Sequence, residues 1–80
     1  MDPAFLADLE YWTRTDRRRA LRTLRLVEAV LRDPFNGTGK PGRLKGQLSG
    51  KWSRRIDQEH RLVYEVDAER VCFLAARYHY

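Results

Sequence analysis

Residues 51–76, KWSRRIDQEHRLVYEVDAERVCFLAA, decide the fold. Three runs within them, 51–56 (KWSRRI), 60–66 (HRLVYEV) and 70–76 (RVCFLAA), are rich in β-branched and aromatic residues and read as strands. Asp57-Gln58-Glu59 and Asp67-Ala68-Glu69 separate them, short polar turns of the kind that joins antiparallel neighbours. The third run is apolar on both faces, which predicts a central strand. Side chains alternate along a strand, so Glu59, Arg61 and Val63 point one way and His60, Leu62 and Tyr64 the other. Arg55 and Arg61 can then share a face across the first hairpin.

Upstream, Asn36-Gly37-Thr38-Gly39-Lys40-Pro41-Gly42 is a loop by composition. Before it the spacing is helical. Asp2 caps a helix with Pro3 in its first position, and Phe5, Leu6, Leu9 and Trp12 recur so as to predict a helix over residues 3–13. Thr15 or Asp16 caps a second helix, which Asp33-Pro34 ends. Ala20, Leu21, Leu24, Val27 and Leu31 make its expected apolar face, with Leu26 and Val30 widening it. Two adjacent helices followed by strands predict an α+β fold, with a helical hairpin on one face of an antiparallel sheet and the other face free.

Eighty residues suffice for one domain, 1–80, with a core that buries only about 60% of the unfolded chain's surface. No apolar run approaches the ~20 residues of a membrane span. The start, Met1-Asp2-Pro3-Ala4, lacks a secretory pattern, and the single cysteine, Cys72, can staple nothing internally, so a cytoplasmic protein is expected.

Sixteen Lys and Arg against eleven Asp and Glu give a net charge of +5, and thirteen of the sixteen cations are arginine. The planar guanidinium grips a phosphate with two prongs, so a polyanionic partner is the leading inference and an acidic protein partner the plain alternative. On the second helix Arg18, Arg22, Arg25 and Arg32 share one side, with only Glu28 interleaved between Asp16 and Asp33. A solvated surface helix usually mixes its signs more evenly. Lys40 to Lys45 form a second basic patch. Gly39-Lys40 resembles the end of a P-loop, but Pro41 stands where Ser or Thr should follow. The chain ends Arg77-Tyr78-His79-Tyr80, with Arg77 and His79 expected on one side of the extended last strand. Two histidines without a carboxylate or cysteine at ligand spacing do not suggest a metal site, and no cofactor is expected. Such residues suit metal-free RNA cleavage. Arginines hold the crowded phosphate, histidine protonates the leaving oxygen, and tyrosine stacks on a base.

DPFNGTGKPGRLKGQLSGKWSRRIDQEHRLVYEV (33–66), the ending AARYHY (75–80) and, more loosely, YWTRTDRR (11–18) to LVEAVLRDPF (26–35) resemble the YoeB toxins of the RelE/ParE superfamily. The resemblance implies the microbial RNase fold of that superfamily, and a type II toxin that cleaves mRNA in the ribosomal A site and is paired with a YefM/Phd-type antitoxin. It implies that Arg61 binds phosphate, His79 is the general acid and Tyr80 the final tyrosine. Lys45, Arg55 and Glu59 fall on positions that shape the site or bind RNA. Arg18, Arg22 and Arg25 are expected to meet the ribosome. A homodimer stays open. Two departures stand out. YoeB toxins carry a general-base glutamate where this chain has Gly42, and they begin with a strand where this chain starts a helix. The first leaves Glu59 as a substitute base, and leaves open a toxin homologue that binds antitoxin or ribosome without cutting. The second predicts an unpaired sheet edge that another strand could fill. A ParE-like gyrase inhibitor on the same scaffold is the further rival, disfavoured by the RYHY ending.

Overall fold

The computed structural model describes residues 1–78 and shows two helices followed by a four-stranded antiparallel sheet. Helix α1 runs Pro3–Thr15 and α2 Arg17–Arg32. Asp16 alone separates them and serves both. Its backbone N–H donates to the Trp12 carbonyl (2.7 Å), closing α1, and its carboxylate accepts from the Arg19 N–H (3.2 Å), opening α2. α1 extends two residues past the expected end, and the Thr13 and Thr15 hydroxyls donate back to the Leu9 and Tyr11 carbonyls.

The strands are β1 (Gly42–Arg43), β2 (Trp52–Arg55), β3 (Arg61–Val66) and β4 (Val71–Tyr78), in the order β1-β2-β3-β4. β1 lies in what composition marks as loop and basic patch. Two successive left-handed residues, Gly39 (φ 91°) and Lys40 (φ 53°), turn the chain into it. Gly39 is also where the loop presses on the core: a Cβ there would sit 2.9 Å from Leu26 Cδ2 and 3.1 Å from Arg54 Cβ. Only glycine fits both the backbone angle and the space.

The core lies between the helices and one face of the sheet. Phe5, Trp12, Ala20, Leu26, Val27 and Val30 meet Ile56, Leu62, Tyr64, Phe73 and Ala76. α2 is rotated relative to the expected face. Its buried residues are Ala20, Thr23, Leu26, Val27 and Val30, whereas Leu21, Leu24 and Leu31 are exposed. Burying Thr23 costs little because its hydroxyl donates to the Arg19 carbonyl at 2.7 Å. The far face of the sheet is not wholly free either. Ser53, Val63 and Leu44 are buried apart from the core cluster, and after Leu44 the chain makes a turn of 3-10 helix at Gly46–Leu48.

β4 stands at the sheet's edge, not its centre, and no strand precedes α1 among the described residues. The exposed edge expected there is largely satisfied by α1 and its cap. The Asp2 N–H donates to the Phe73 carbonyl (3.0 Å), the Ala76 N–H donates to Asp8 Oδ2 (2.9 Å), and Trp12 Nε1–H donates to the Ala76 carbonyl (2.8 Å). The apolar run of β4 therefore stands at an edge that a helix, rather than a strand, covers, with Phe73 and Ala76 buried in the core and its other residues only partly buried.

Beyond the end of β2, Arg19 of α2 reaches Asp57 at 2.6 Å. Burial pushes the Asp57 carboxyl up, but the backbone N–H groups of His60 and Glu59 and the Arg19 guanidinium outweigh it, so its pKa is lowered. A depressed carboxylate stabilises the fold above its ordinary value and loses that contribution as pH falls through the folded value. Urea denaturation at descending pH should therefore show Asp57→Asn with a shallower acid loss of stability than the parent. Parallel curves for the two proteins would count against it.

Candidate active site

Alternation and register place the candidate residues. In β2, Trp52 and Arg54 face the helices while Ser53 and Arg55 face away; in β3, Leu62 and Tyr64 face the helices while Arg61 and Val63 face away. Arg55 pairs with Arg61 and Ser53 with Val63, so the two arginines share a face as the spacing implies. Arg61 Nη1 donates to Ser53 Oγ at 3.2 Å, and that hydroxyl is buried, which fixes the guanidinium against the sheet.

β4 reaches this site through two irregularities. Val63 pairs with Ala75 but Tyr64 with Phe73, so Leu74 is extra; Arg61 pairs with Tyr78, so one more residue is extra between Ala75 and Tyr78. The second bulge separates the last side chains. Tyr78 comes opposite Arg61, whereas Arg77 lands on the helical side, its guanidinium carbon 3.7 Å from the Tyr11 ring centre and 5.8 Å from that of Trp12. Arg77 is therefore a cation–π brace between β4 and α1. His79 and Tyr80 lie outside the described residues.

Tyr78 also lines an open hollow of about 360 Å³ with Arg43, Leu44 and Lys45. Lys45 thus joins the Arg61 side of the sheet across β1. The Arg43 guanidinium instead lies 5.4 Å from the Trp52 ring centre. Gly42 pairs with Ser53, so a side chain at 42 would stand on the face that carries Arg61. At the opposite end of this face Glu65 is matched by Lys51 at 3.8 Å. Glu59 lies on the α2 side of the β2–β3 turn, 3.7 Å from Arg19 Nη2 and 3.9 Å from His60 Nε2.

The arginine stripe is split. Arg18 and Arg25 are exposed, whereas Arg22 is half-buried and donates from Nη2 to the Arg55 carbonyl at 3.3 Å. Arg22 therefore ties the stripe to the end of β2. Sequence reasoning passed over Ser53 and Tyr78. Ser53 was recoverable from the same alternation that paired Arg55 with Arg61; Tyr78 was not, because its side depends on bulges with no local signature.

A family model described as the YoeB-like toxin of bacterial type II toxin–antitoxin systems matches residues 1–80. The chain belongs to the YoeB toxin family. It is 53% identical over 79 residues to the toxin RelK of Mycobacterium tuberculosis, covering 99% of this chain and 93% of that protein. Among solved structures, the YoeB dimer from Staphylococcus aureus superposes with a TM-score of 0.89 at 36% identity, covering 99% of this chain and 92% of the other. The YoeB–YefM complex from the same organism gives 0.86 at 35% identity, with the same coverage. The fold seen here is thus the YoeB fold.

Proposed function

We propose that this YoeB-family toxin enters the ribosomal A site and cleaves the message there. Its partners would be a YefM-type antitoxin and, as in the Staphylococcus aureus relative, a second copy of itself. The observation that carries the reading is Arg61, held by Ser53 on a cationic strand face bordered by Arg55, Lys45 and Tyr78. In the reaction a 2′-hydroxyl of the message attacks the adjacent phosphorus and loses its proton. The P–O5′ bond breaks, leaving a cyclic 2′,3′-phosphate and a 5′-hydroxyl. Arg61 stabilises the dianionic pentacoordinate phosphorus, His79 protonates the departing 5′-oxygen, and Tyr80 stacks on a base or hydrogen-bonds the phosphate. Lys45 and Arg55 hold the flanking phosphates. Glu59 could take the proton only after release from Arg19.

Primer extension on a message translated in a purified system tests the proposal. Discrete A-site cuts support it. Stalled ribosomes with intact message would instead establish the binding-only reading, which Gly42 at the base position favours. Because the chain has cations and an acid but no evident base, the ribosome must help order the 2′-hydroxyl. Naked RNA should accordingly be cut very slowly, and robust cutting at low enzyme concentration would sink that expectation.

Binding and chemistry should separate. Arg18→Gln with Arg25→Gln should weaken ribosome association and reduce its salt slope by roughly 0.7–0.9 for each phosphate no longer neutralised. His79→Ala should leave association intact while cleavage falls. Equal binding losses from both changes would show that the surfaces are one.

A further inference from the structure

We propose that the outer flank of α2 is the surface on which a second copy of this chain docks, with the two α2 helices antiparallel across a two-fold axis. The assignment rests on the homodimer reading above and adds the face and the register.

Leu21, Leu24 and Leu31 are 48%, 47% and 63% exposed, though they belong to a helix whose other apolar side is fully used by the core. Together with Arg17 and Glu28 they follow steps of four and three along one flank, the spacing of a helix-to-helix seam. The seam is bordered by a groove of about 390 Å³ between α1 and α2, lined by Thr13, Arg17, Ala20, Leu21 and Leu24. Such a groove can accept side chains from a facing helix. Isolated exposed leucines are ordinary; three on one seam beside a groove are not.

The order of residues on this flank selects a second copy over an unrelated partner. Place a two-fold axis between Leu21 and Leu24 with the helices antiparallel. Leu21 then meets Leu24 of the partner subunit, and Arg17 meets Glu28 of the partner subunit. The contact repeats itself on the other side of the axis, as an isologous interface requires. Arg17 and Glu28 have no ion pair within the chain among the described residues, so both charges are available. Moving the axis toward Leu31 would still oppose leucines, but it brings Glu28 against Glu28 of the partner subunit. Charge therefore sets the register. The exposed Arg18 and Arg25 lie beside the seam, so the dimer would lay two arginine stripes next to one another.

Sedimentation equilibrium of the full chain without antitoxin tests this. The parent should be a dimer in reversible equilibrium. Leu21→Glu with Leu24→Glu should be monomeric, with an unchanged circular-dichroism spectrum because neither leucine is in the core. Arg17→Glu alone and Glu28→Arg alone should each weaken association about tenfold, since each creates two like-charge contacts. The double exchange, Arg17→Glu with Glu28→Arg, should restore it. A monomeric parent at high micromolar concentration overturns both the homodimer reading and the face. A dimer that survives the leucine changes, or an exchange that fails to restore it, overturns the face alone. The face is equally overturned if the leucine changes leave the dimer intact but abolish capture of a YefM-type antitoxin, which would make it the antitoxin's.

Discussion

Replacing Gly42 by glutamate is expected to raise the rate of ribosome-dependent cleavage by about 10²–10⁴-fold, the usual contribution of a positioned general base. The local geometry admits the change. Gly42 is in β1 and, unlike Gly39, is not at a positive φ, and a Cβ built there meets nothing within 4 Å. Its register partner is Ser53, whose hydroxyl accepts from Arg61, so the new carboxylate would stand on the face that carries Arg61, proposed above to hold the phosphate. In the proposed reaction a carboxylate there would supply an acceptor for the 2′-hydroxyl proton beside the cation proposed to stabilise the resulting charge. The check is single-turnover cleavage of a stalled translation complex by parent and variant at several pH values. An unchanged rate would mean either that β1 does not reach the reacting phosphate or that another group already takes the proton. Glu59→Gln in the parent distinguishes these, because a rate loss would identify that other group.

The structure explains why some of this was legible in residues alone. Period-two alternation in KWSRRI and HRLVYEV is a local geometric fact, so the shared face of Arg55 and Arg61 followed from spacing and survives in the register. The start of α1 and the end of α2 were legible for the same reason, since Asp2 and Pro34 act within one turn of where they stand, whereas α1 runs on to Thr15 and the residues alone leave open the choice of Asp16 over Thr15 as the next cap. What was not legible depends on distant partners. The rotation of α2 follows from Thr23 satisfying itself on the Arg19 carbonyl, so hydrophobicity ranked the leucines above the residue that is buried. The edge position of β4 follows from Asp8 and Trp12 supplying its hydrogen bonds from another element. The side taken by Arg77 and Tyr78 follows from a bulge, which changes register without changing composition. Most of all, nothing local marks Arg54 as buried, because the carbonyls that surround its guanidinium lie 16 to 21 residues away.

Arg54→Met is expected to destabilise the protein by about 3–5 kcal/mol, because it leaves three backbone carbonyls without their partner at about 1–3 kcal/mol each. Arg54 is 0% exposed, and among the described residues no carboxylate pairs with it. Its charge is instead caged by backbone carbonyls. Nη1 donates to Thr38 O (3.2 Å), and Nη2 donates to Asn36 O (3.1 Å) and to Asp33 O. Nε donates to the Tyr64 hydroxyl at 3.1 Å, which in turn donates to Pro34 O at 2.8 Å. Burial pushes the Tyr64 phenol up against the opposing pull of Arg54, so it stays protonated and keeps that donation at neutral pH. One guanidinium thus holds three points of the 33–38 segment directly and a fourth, Pro34 O, through Tyr64, and the three carbonyls would lose their partner with the side chain. Methionine fills much of the volume, so the loss reports hydrogen bonds rather than a cavity. Tyr64→Phe should cost less, about 1–3 kcal/mol, because it orphans only Pro34 O and one Arg54 donor. The two losses should fall short of additive in the double variant, since they share a bond. Urea denaturation of the four proteins measures all of this, and a loss below about 1 kcal/mol for Arg54→Met would show that water replaces the cage at little cost. The segment that Arg54 holds continues through Gly39 and Lys40 into β1. Amide exchange at Arg55, whose N–H donates to Gly39 O, should therefore accelerate in Arg54→Met before exchange in β3 does.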